Sequence, residues 1–183
     1  MITDLYAKNR NQMNMVFLIA ISLLILAFVL QKFFIIAILA VGSVAISFFI
    51  GTFQMAKSIG IELVTFKAVL TGFVFGPVMG ASNDLVLIIL HLIIGQFSAG
   101  PYILWVIPAY VTMGFLSGTL TGDISFDLLG IYLTLAINLF NLILTVITFP
   151  QNLGNYLPFS VTNILFNFLL FSQLGLPLAS LIK

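Results

Sequence analysis

Glycine recurs at every fourth residue in two separate parts of this chain. The glycines of these two ladders are Gly72, Gly76, Gly80, Gly114, Gly118 and Gly122. In water, glycine weakens a helix by about 1 kcal/mol relative to alanine. In lipid, a row of glycines leaves a groove in which another helix backbone can approach closely. We therefore predict a membrane protein in which at least two helices pack closely along these glycines.

The surrounding sequence is too apolar for a water-soluble domain. It has 183 residues, of which 62% are hydrophobic and 6% are charged, whereas a soluble domain carries about 25% charged residues. A transmembrane helix takes about 20 residues, so the length allows about six or seven spans and no separate soluble domain. The net charge of +1 offers no basic surface for nucleic acid. The lack of cysteine excludes disulfides and thiol chemistry.

Apolar runs separated by polar breaks predict a polar tail at 1–13, an extra N-terminal helix at 14–31 and a helical domain at 32–183. The predicted spans are Met15–Leu30, Phe33–Gln54, Val64–Phe75, Asp84–Gln96, Tyr102–Leu120, Leu128–Phe149 and Pro158–Leu181. The break after Phe75 rests on Gly76-Pro77, since proline disfavours helix just before it. Two alternatives stay open. Asp84–Gln96 fuses with residues 78–83 into one span, or residues 14–31 do not cross the membrane.

Three segments carry a resemblance to a known family. Ile61–Gly80 (IELVTFKAVLTGFVFGPVMG) has a polar loop, an apolar helix and a Phe-Gly-Pro-x-x-Gly turn. This order resembles the substrate-binding S components of energy-coupling factor transporters. Gly100–Gly122 is similar to the fourth helix of that family, with Pro108 in mid-helix, and Leu157–Lys183 is similar to the final helix, with Asn163 one turn in.

The resemblance implies an all-α, polytopic integral membrane protein with a six-helix bundle plus the extra N-terminal helix. It implies a chain that captures a vitamin or similar micronutrient outside a prokaryotic cytoplasmic membrane. A membrane coupling subunit and two ATPase subunits would then drive its delivery. The chain itself would be no enzyme and would need no cofactor or metal. The family's small-residue docking pattern points to Ala37, Ala40 and Ala45, which we group with the ladder glycines as packing and coupling residues.

Polar residues at membrane depth are expensive and tend to face protein or a cavity. Two stripes of such residues occur at helical spacing, the first being Asn138, Asn141, Thr145 and Thr148 and the second Ser160, Asn163 and Asn167. They indicate either hydrogen bonds between helices or the wall of a binding site. Trp105 and Tyr102 are similarly either interfacial anchors or a stacking surface for a flat ligand.

We expect the binding site where the loops at 57–62, 96–101 and 150–156 meet the outer ends of the last three helices. The predicted substrate-binding residues are Glu62, His91, Gln96, Tyr102, Trp105, Asn141, Thr148, Asn155, Tyr156 and Asn163. The only arginine is Arg10. Because a multiply anionic ligand would call for arginine, we expect a neutral or aromatic compound.

Two other classes of function remain open from the sequence. The ladders could serve only to assemble a homo-oligomer. Alternatively, the chain could be a stand-alone channel or secondary transporter with Asp84 and His91 as a proton path, although Asp84 also suits a helix N-terminus after the Gly-Pro turn. No Walker motif and no metal-ligand spacing occurs in the sequence.

Overall fold

The computed structural model describes residues 13, 15–26, 30–97 and 100–182. Within these ranges the chain is helical and has no β-strand. The helices are α1 (Met15–Leu26), α2 (Gln31–Thr52), α3 (Val64–Phe75), α4 (Pro77–Ile94), α5 (Ile103–Thr119), α6 (Phe126–Thr148), α7 (Leu153–Leu170) and α8 (Leu176–Ile182). Short 3-10 turns at Gln54–Ser58 and Pro150–Asn152 and a π-helical turn at Phe171–Gly175 complete the order.

The chain divides into two compact units, with the boundary between Ile35 and Ile36. The second unit, Ile36–Lys183, contains most of the described helices. The predicted polar tail at 1–13 lies outside the described residues except for Met13. Residues 27–29, at the end of the first predicted span, and the predicted turn at 98–99 also lie outside them.

Four helical stretches are long and apolar enough to cross a membrane in the described part of the chain: Gln31–Thr52, Pro77–Ile94, Phe126–Thr148 and Pro150–Ile182. Helices α1, α3 and α5 are apolar but shorter. The prediction of an all-α, membrane-embedded protein is therefore confirmed, while the six-helix bundle stays a prediction.

Proline and glycine set the helix boundaries that matter most for the site. Helix α3 ends at Phe75, and Gly76 adopts a positive φ of 89° before Pro77 opens α4. The open alternative for α4 is settled, because residues 78–83 and the Asp84 segment form one helix. The predicted start of the last helix at Pro158 is wrong. Helix α7 begins at Leu153 and carries Pro158 inside it.

Helix α3 is the buried centre of the second unit. It has only 12 residues, and every side chain from Val64 to Phe73 is buried. Helices α4, α5, α6, α7 and α8 all contact it. At 1.5 Å per residue this helix is about 18 Å long, which is well short of a bilayer core of about 30 Å. Helix α3 is thus enclosed by the other helices, and it is too short to cross a bilayer by itself.

An aromatic cluster holds α3 against the later helices. The Phe66 ring lies 4.8 Å from that of Phe171 and 6.1 Å from that of Phe126, and the Phe73 ring lies 5.0 Å from Phe126. Gly130 of α6 lies directly under the Phe171 ring, where a methyl group would overlap it. The π-helical turn between α7 and α8 begins at Phe171, so it starts at the residue that packs into this aromatic cluster.

The two glycine ladders lie against each other. A methyl group on Gly80 would overlap the Gly114 carbonyl and the Gly72 Cα, and a methyl on Gly118 would overlap the backbone of Pro77. Helices α3, α4 and α5 therefore meet backbone to backbone. Gly114 also leaves room for the carboxylate of Asp84, which fills the space that a side chain would need.

Some predicted packing residues have other surroundings. Gly76 and Gly122 have positive φ values of 89° and 111°, and no described residue would come within 4 Å of a Cβ at either position. They are turn residues. The backbone of Gly76 nevertheless takes part in the contact between helices, because a methyl group on Gly118 would overlap the Gly76 carbonyl carbon. On α2, Ala37 and Ala45 are exposed and Ala40 is half-buried, so this small-residue face points away from the neighbouring helices.

We predict that Gly80→Ala destabilises the protein, whereas Gly154→Ala does not. Overpacking costs about 1–3 kcal/mol, and the added methyl at Gly80 meets backbone atoms that cannot move aside. Gly154 is also helical, but no described atom lies within 4 Å of its Cβ position. The measurement is the melting temperature in mild detergent. Equal melting temperatures for the two variants would contradict the close ladder contact.

Candidate functional site

A cavity of about 460 Å³ opens at one end of the second unit. It lies where α4 ends, α5 begins, α6 ends and α7 begins. Its lining residues are Lys57, Ser58, Ile88, His91, Leu92, Phe97, Tyr102, Trp105, Val106, Tyr110, Ile137, Asn138, Asn141, Thr145, Phe149, Asn152, Asn155, Tyr156 and Phe159. This volume is within the range of about 300–1,000 Å³ that small-molecule sites occupy.

The predicted binding residues separate into two groups. His91, Tyr102, Trp105, Asn141, Asn155 and Tyr156 line the cavity. Glu62, Gln96, Thr148 and Asn163 do not. Thr148 is exposed on α6, and Gln96 is exposed in a turn with a positive φ of 51°. Thr148 and Gln96 are therefore exposed side chains that do not form part of the cavity wall.

Aromatic side chains form one side of the cavity. The Trp105 and Phe149 rings are stacked, with centroids 6.0 Å apart and an interplanar angle of 23°. The Tyr156 and Phe159 rings lie 5.8 Å apart on α7. Burial raises the pKa of the Tyr102 hydroxyl, which lies just before α5. The wall thus offers flat apolar faces with hydroxyl groups at their edges.

Amides from α6 and α7 form the other side. Asn138, Asn141 and Thr145 of the first polar stripe are buried and line the cavity. The Tyr156 hydroxyl lies 3.4 Å from the Asn138 carbonyl, to which it donates. Asn152 and Asn155 are exposed at the rim. Such convergent polar groups in an apolar cavity are what fix the orientation of a small ligand.

A buried hydrogen-bond network lies behind this wall. Asn138 Nδ2 donates to Asn163 Oδ1 at 2.8 Å, so it joins the two polar stripes. Asn163 Nδ2 in turn donates to Glu62 Oε1 at 3.1 Å and to the Gly60 carbonyl at 3.0 Å. Glu62 accepts from the backbone N–H of Thr65 at 3.0 Å and from the Thr65 hydroxyl.

This network explains why Glu62 and Asn163 do not reach the cavity. The Glu62 carboxylate occupies the N-terminus of α3, where it accepts from an N–H group that has no partner inside the helix. Asn163 is 1% exposed, and its side-chain amide is hydrogen-bonded to Glu62, Gly60 and Asn138. Both residues support the wall from behind and do not line the cavity.

His91 is held from behind by α2. Ser47 Oγ lies 2.7 Å from His91 Nδ1 and also donates to the Ser43 carbonyl at 2.7 Å. The His91 ring lies 5.2 Å from that of Phe97. Sequence reasoning did not identify Ser47 as part of the site. Its i, i+4 relation to Ser43 in an apolar helix was the available signal.

Lys57 is the only charged side chain among the lining residues of the described cavity, and sequence reasoning did not single it out. Its ammonium donates to the Gln96 carbonyl at 2.7 Å and lies 5.7 Å from the centre of the Phe97 ring. These contacts tie the 3-10 turn at Gln54–Ser58 to the loop after α4. The other lining residues with polar side chains that sequence reasoning missed are Ser58, Tyr110, Asn138, Thr145 and Asn152, of which Asn138 and Thr145 lay on a stripe visible in the sequence.

Besides Glu62, two other buried ionisable residues do not line the cavity. Lys67 is 2% exposed and donates to Asn83 Oδ1. Asp84 is fully buried, and neither carboxylate oxygen has a hydrogen-bond partner among the described residues. The interpretation of Asp84 as an N-terminal helix residue is wrong, because α4 begins at Pro77 and Asp84 lies two turns inside it.

No known protein family, no curated protein and no solved structure matches this chain.

We predict that Asn163→Ala lowers stability, whereas Asn155→Ala leaves it nearly unchanged. Removing the Asn163 amide leaves buried groups of Glu62 and Asn138 short of partners, which costs about 1–3 kcal/mol. Asn155 is exposed at the rim, where a substitution changes stability by about 0.5 kcal/mol or less. The melting temperature in detergent measures both. A neutral Asn163→Ala would show that the network does not support the wall.

Proposed function

We propose that this chain is the substrate-binding subunit of an energy-coupling factor type importer. In this proposal it captures a vitamin or similar micronutrient from outside a prokaryotic cytoplasmic membrane. The observation that carries the proposal is the cavity, which is lined by Trp105, Tyr156 and Asn141 and also by Lys57 and Phe97 from the segments before α3 and after α4. The sequence resemblance points to the same kind of protein.

The chain supplies affinity and specificity, and its partners supply energy. A membrane coupling subunit and two ATPase subunits would release the ligand to the inside. The exposed small-residue face of α2, with Ala37 and Ala45, suits the approach of a coupling helix because small side chains permit close contact in lipid. The ladder glycines Gly72, Gly80, Gly114 and Gly118 serve the internal contact of α3, α4 and α5.

The ligand in this proposal is neutral and at least partly aromatic. Lys57 is the one charged residue on the described wall, and its ammonium donates one hydrogen bond to the Gln96 carbonyl. No arginine fork is available there for a phosphate or a carboxylate. The Trp105 and Phe149 rings offer apolar area to a flat molecule.

The structure bears on the other two classes of function. An assembly role rested on the glycine ladders, but Gly72 and Gly80 of the first ladder meet Gly114 of the second within one chain. A proton path through Asp84 and His91 has little support, since Asp84 does not line the cavity and has no hydrogen-bonded link to His91 among the described residues. An assembly role alone does not account for the aromatic and amide wall.

We predict that protein purified in mild detergent carries a stoichiometric small metabolite that mass spectrometry detects. Trp105→Ala should lower its affinity by at least about fivefold, since loss of an aromatic anchor costs more than about 1 kcal/mol. The adjacent Leu104 is 78% exposed and does not line the cavity, so Leu104→Ala is the matched control and should bind normally.

Uptake of that metabolite by cells should require co-expressed coupling and ATPase subunits. Uptake without them, abolished by Asp84→Asn, would favour a secondary transporter. Purified protein that carries no metabolite and retains no ATPase partner in a pull-down would contradict the proposed function.

A further inference from the structure

The contacts of His91 define which of its ring nitrogens faces a ligand. Ser47 has a single hydroxyl hydrogen, and it is directed to the Ser43 carbonyl. The 2.7 Å contact between Ser47 Oγ and His91 Nδ1 therefore needs its hydrogen from the histidine. In the neutral ring Nδ1 is the donor, so Nε2 is left as an acceptor.

The acceptor atom, His91 Nε2, is available to a molecule in the cavity. His91 is a lining residue, and no described residue is hydrogen-bonded to Nε2. The side chain is 7% exposed, and Nε2 is not among the enclosed polar atoms that lack a partner in the described part of the chain, so this nitrogen is open to the cavity. A ligand that brings an N–H or O–H group to it gains a hydrogen bond that a ligand of the same shape without a donor does not form.

We propose that His91 Nε2 is the specificity-determining acceptor of this cavity and that Ser47 is its positioning residue. The inference rests on the proposed binding function and narrows it. The ligand class is a neutral, planar ring that carries an N–H or O–H donor, stacked on the Trp105 side of the wall. Ser47 acts through His91 by keeping the hydrogen on Nδ1.

Benzimidazole and two methylated relatives are suitable probes. Benzimidazole is flat, neutral at mildly alkaline pH, and has one N–H group. 1-Methylbenzimidazole lacks that donor, whereas 2-methylbenzimidazole keeps it and carries a methyl group of the same size. Affinities are measured by isothermal titration calorimetry on the full chain in detergent. Quenching of Trp105 fluorescence gives a second readout, because it is the only tryptophan in the chain.

We expect wild-type protein to bind benzimidazole and 2-methylbenzimidazole at least about tenfold more tightly than 1-methylbenzimidazole, because the last compound leaves the acceptor unpaired. His91→Phe should bring this ratio close to one. His91→Gln should keep a ratio above one, because its side-chain carbonyl can accept. Ser47→Ala should reduce the ratio, because either nitrogen of an unanchored ring can then carry the hydrogen.

A purely structural role of His91 would weaken all three compounds alike and leave the ratio unchanged. Equal wild-type affinities, a ratio that survives His91→Phe, or no binding of any compound at millimolar concentration would overturn the inference. If His91→Phe does not fold, the ratio in Ser47→Ala decides. If the protein carries a metabolite but shows no preference for a donor, this inference fails and the proposed binding function stands. A donor preference without ATPase partners supports it and removes the importer role.

Discussion

Four glycines leave no room for a methyl group where α3, α4 and α5 meet, and this close contact fixes the arrangement around which the other helices pack. Gly72 and Gly80 approach Gly114, while Gly118 lies on Pro77. Contact at backbone distance buries a short helix that could not span a membrane by itself. In lipid, where apolar burial does not drive helices together, such close packing is a main source of association.

The ends of α3 are as constrained as its middle. At its N-terminus, Glu62 accepts from Thr65 and from Asn163, so α7 is tied to the first turn of the helix. Asn163 continues the link to Asn138 of α6. The wall of the cavity is therefore made by helices that are fixed from behind. Residues on a wall of this kind stay in place without a ligand, which lowers the entropic cost of binding.

The sequence allowed several features of this structure to be predicted. Gly76-Pro77 marked the end of α3 because those residues restrict the backbone locally, and the polar stripe of α6 was visible at helical spacing. The partners of these residues were not predictable. Asn163 and Asn138 have the same chemistry in the sequence, yet only Asn138 lines the cavity. Ser47 became relevant only because folding placed it beside His91, which lies 44 residues away in the chain.

The proposed role makes the cavity open to the outside, and the lack of native cysteine makes this directly measurable. Asn155 lies at the cavity rim, and Ser180 lies beside the α5–α6 loop, at the opposite end of the 23-residue helix α6. Single-cysteine variants Asn155→Cys and Ser180→Cys can be treated with a membrane-impermeant maleimide in intact cells. The account predicts that Asn155→Cys is labelled from outside and Ser180→Cys only after permeabilisation. Labelling of Asn155→Cys only from the inside would contradict it.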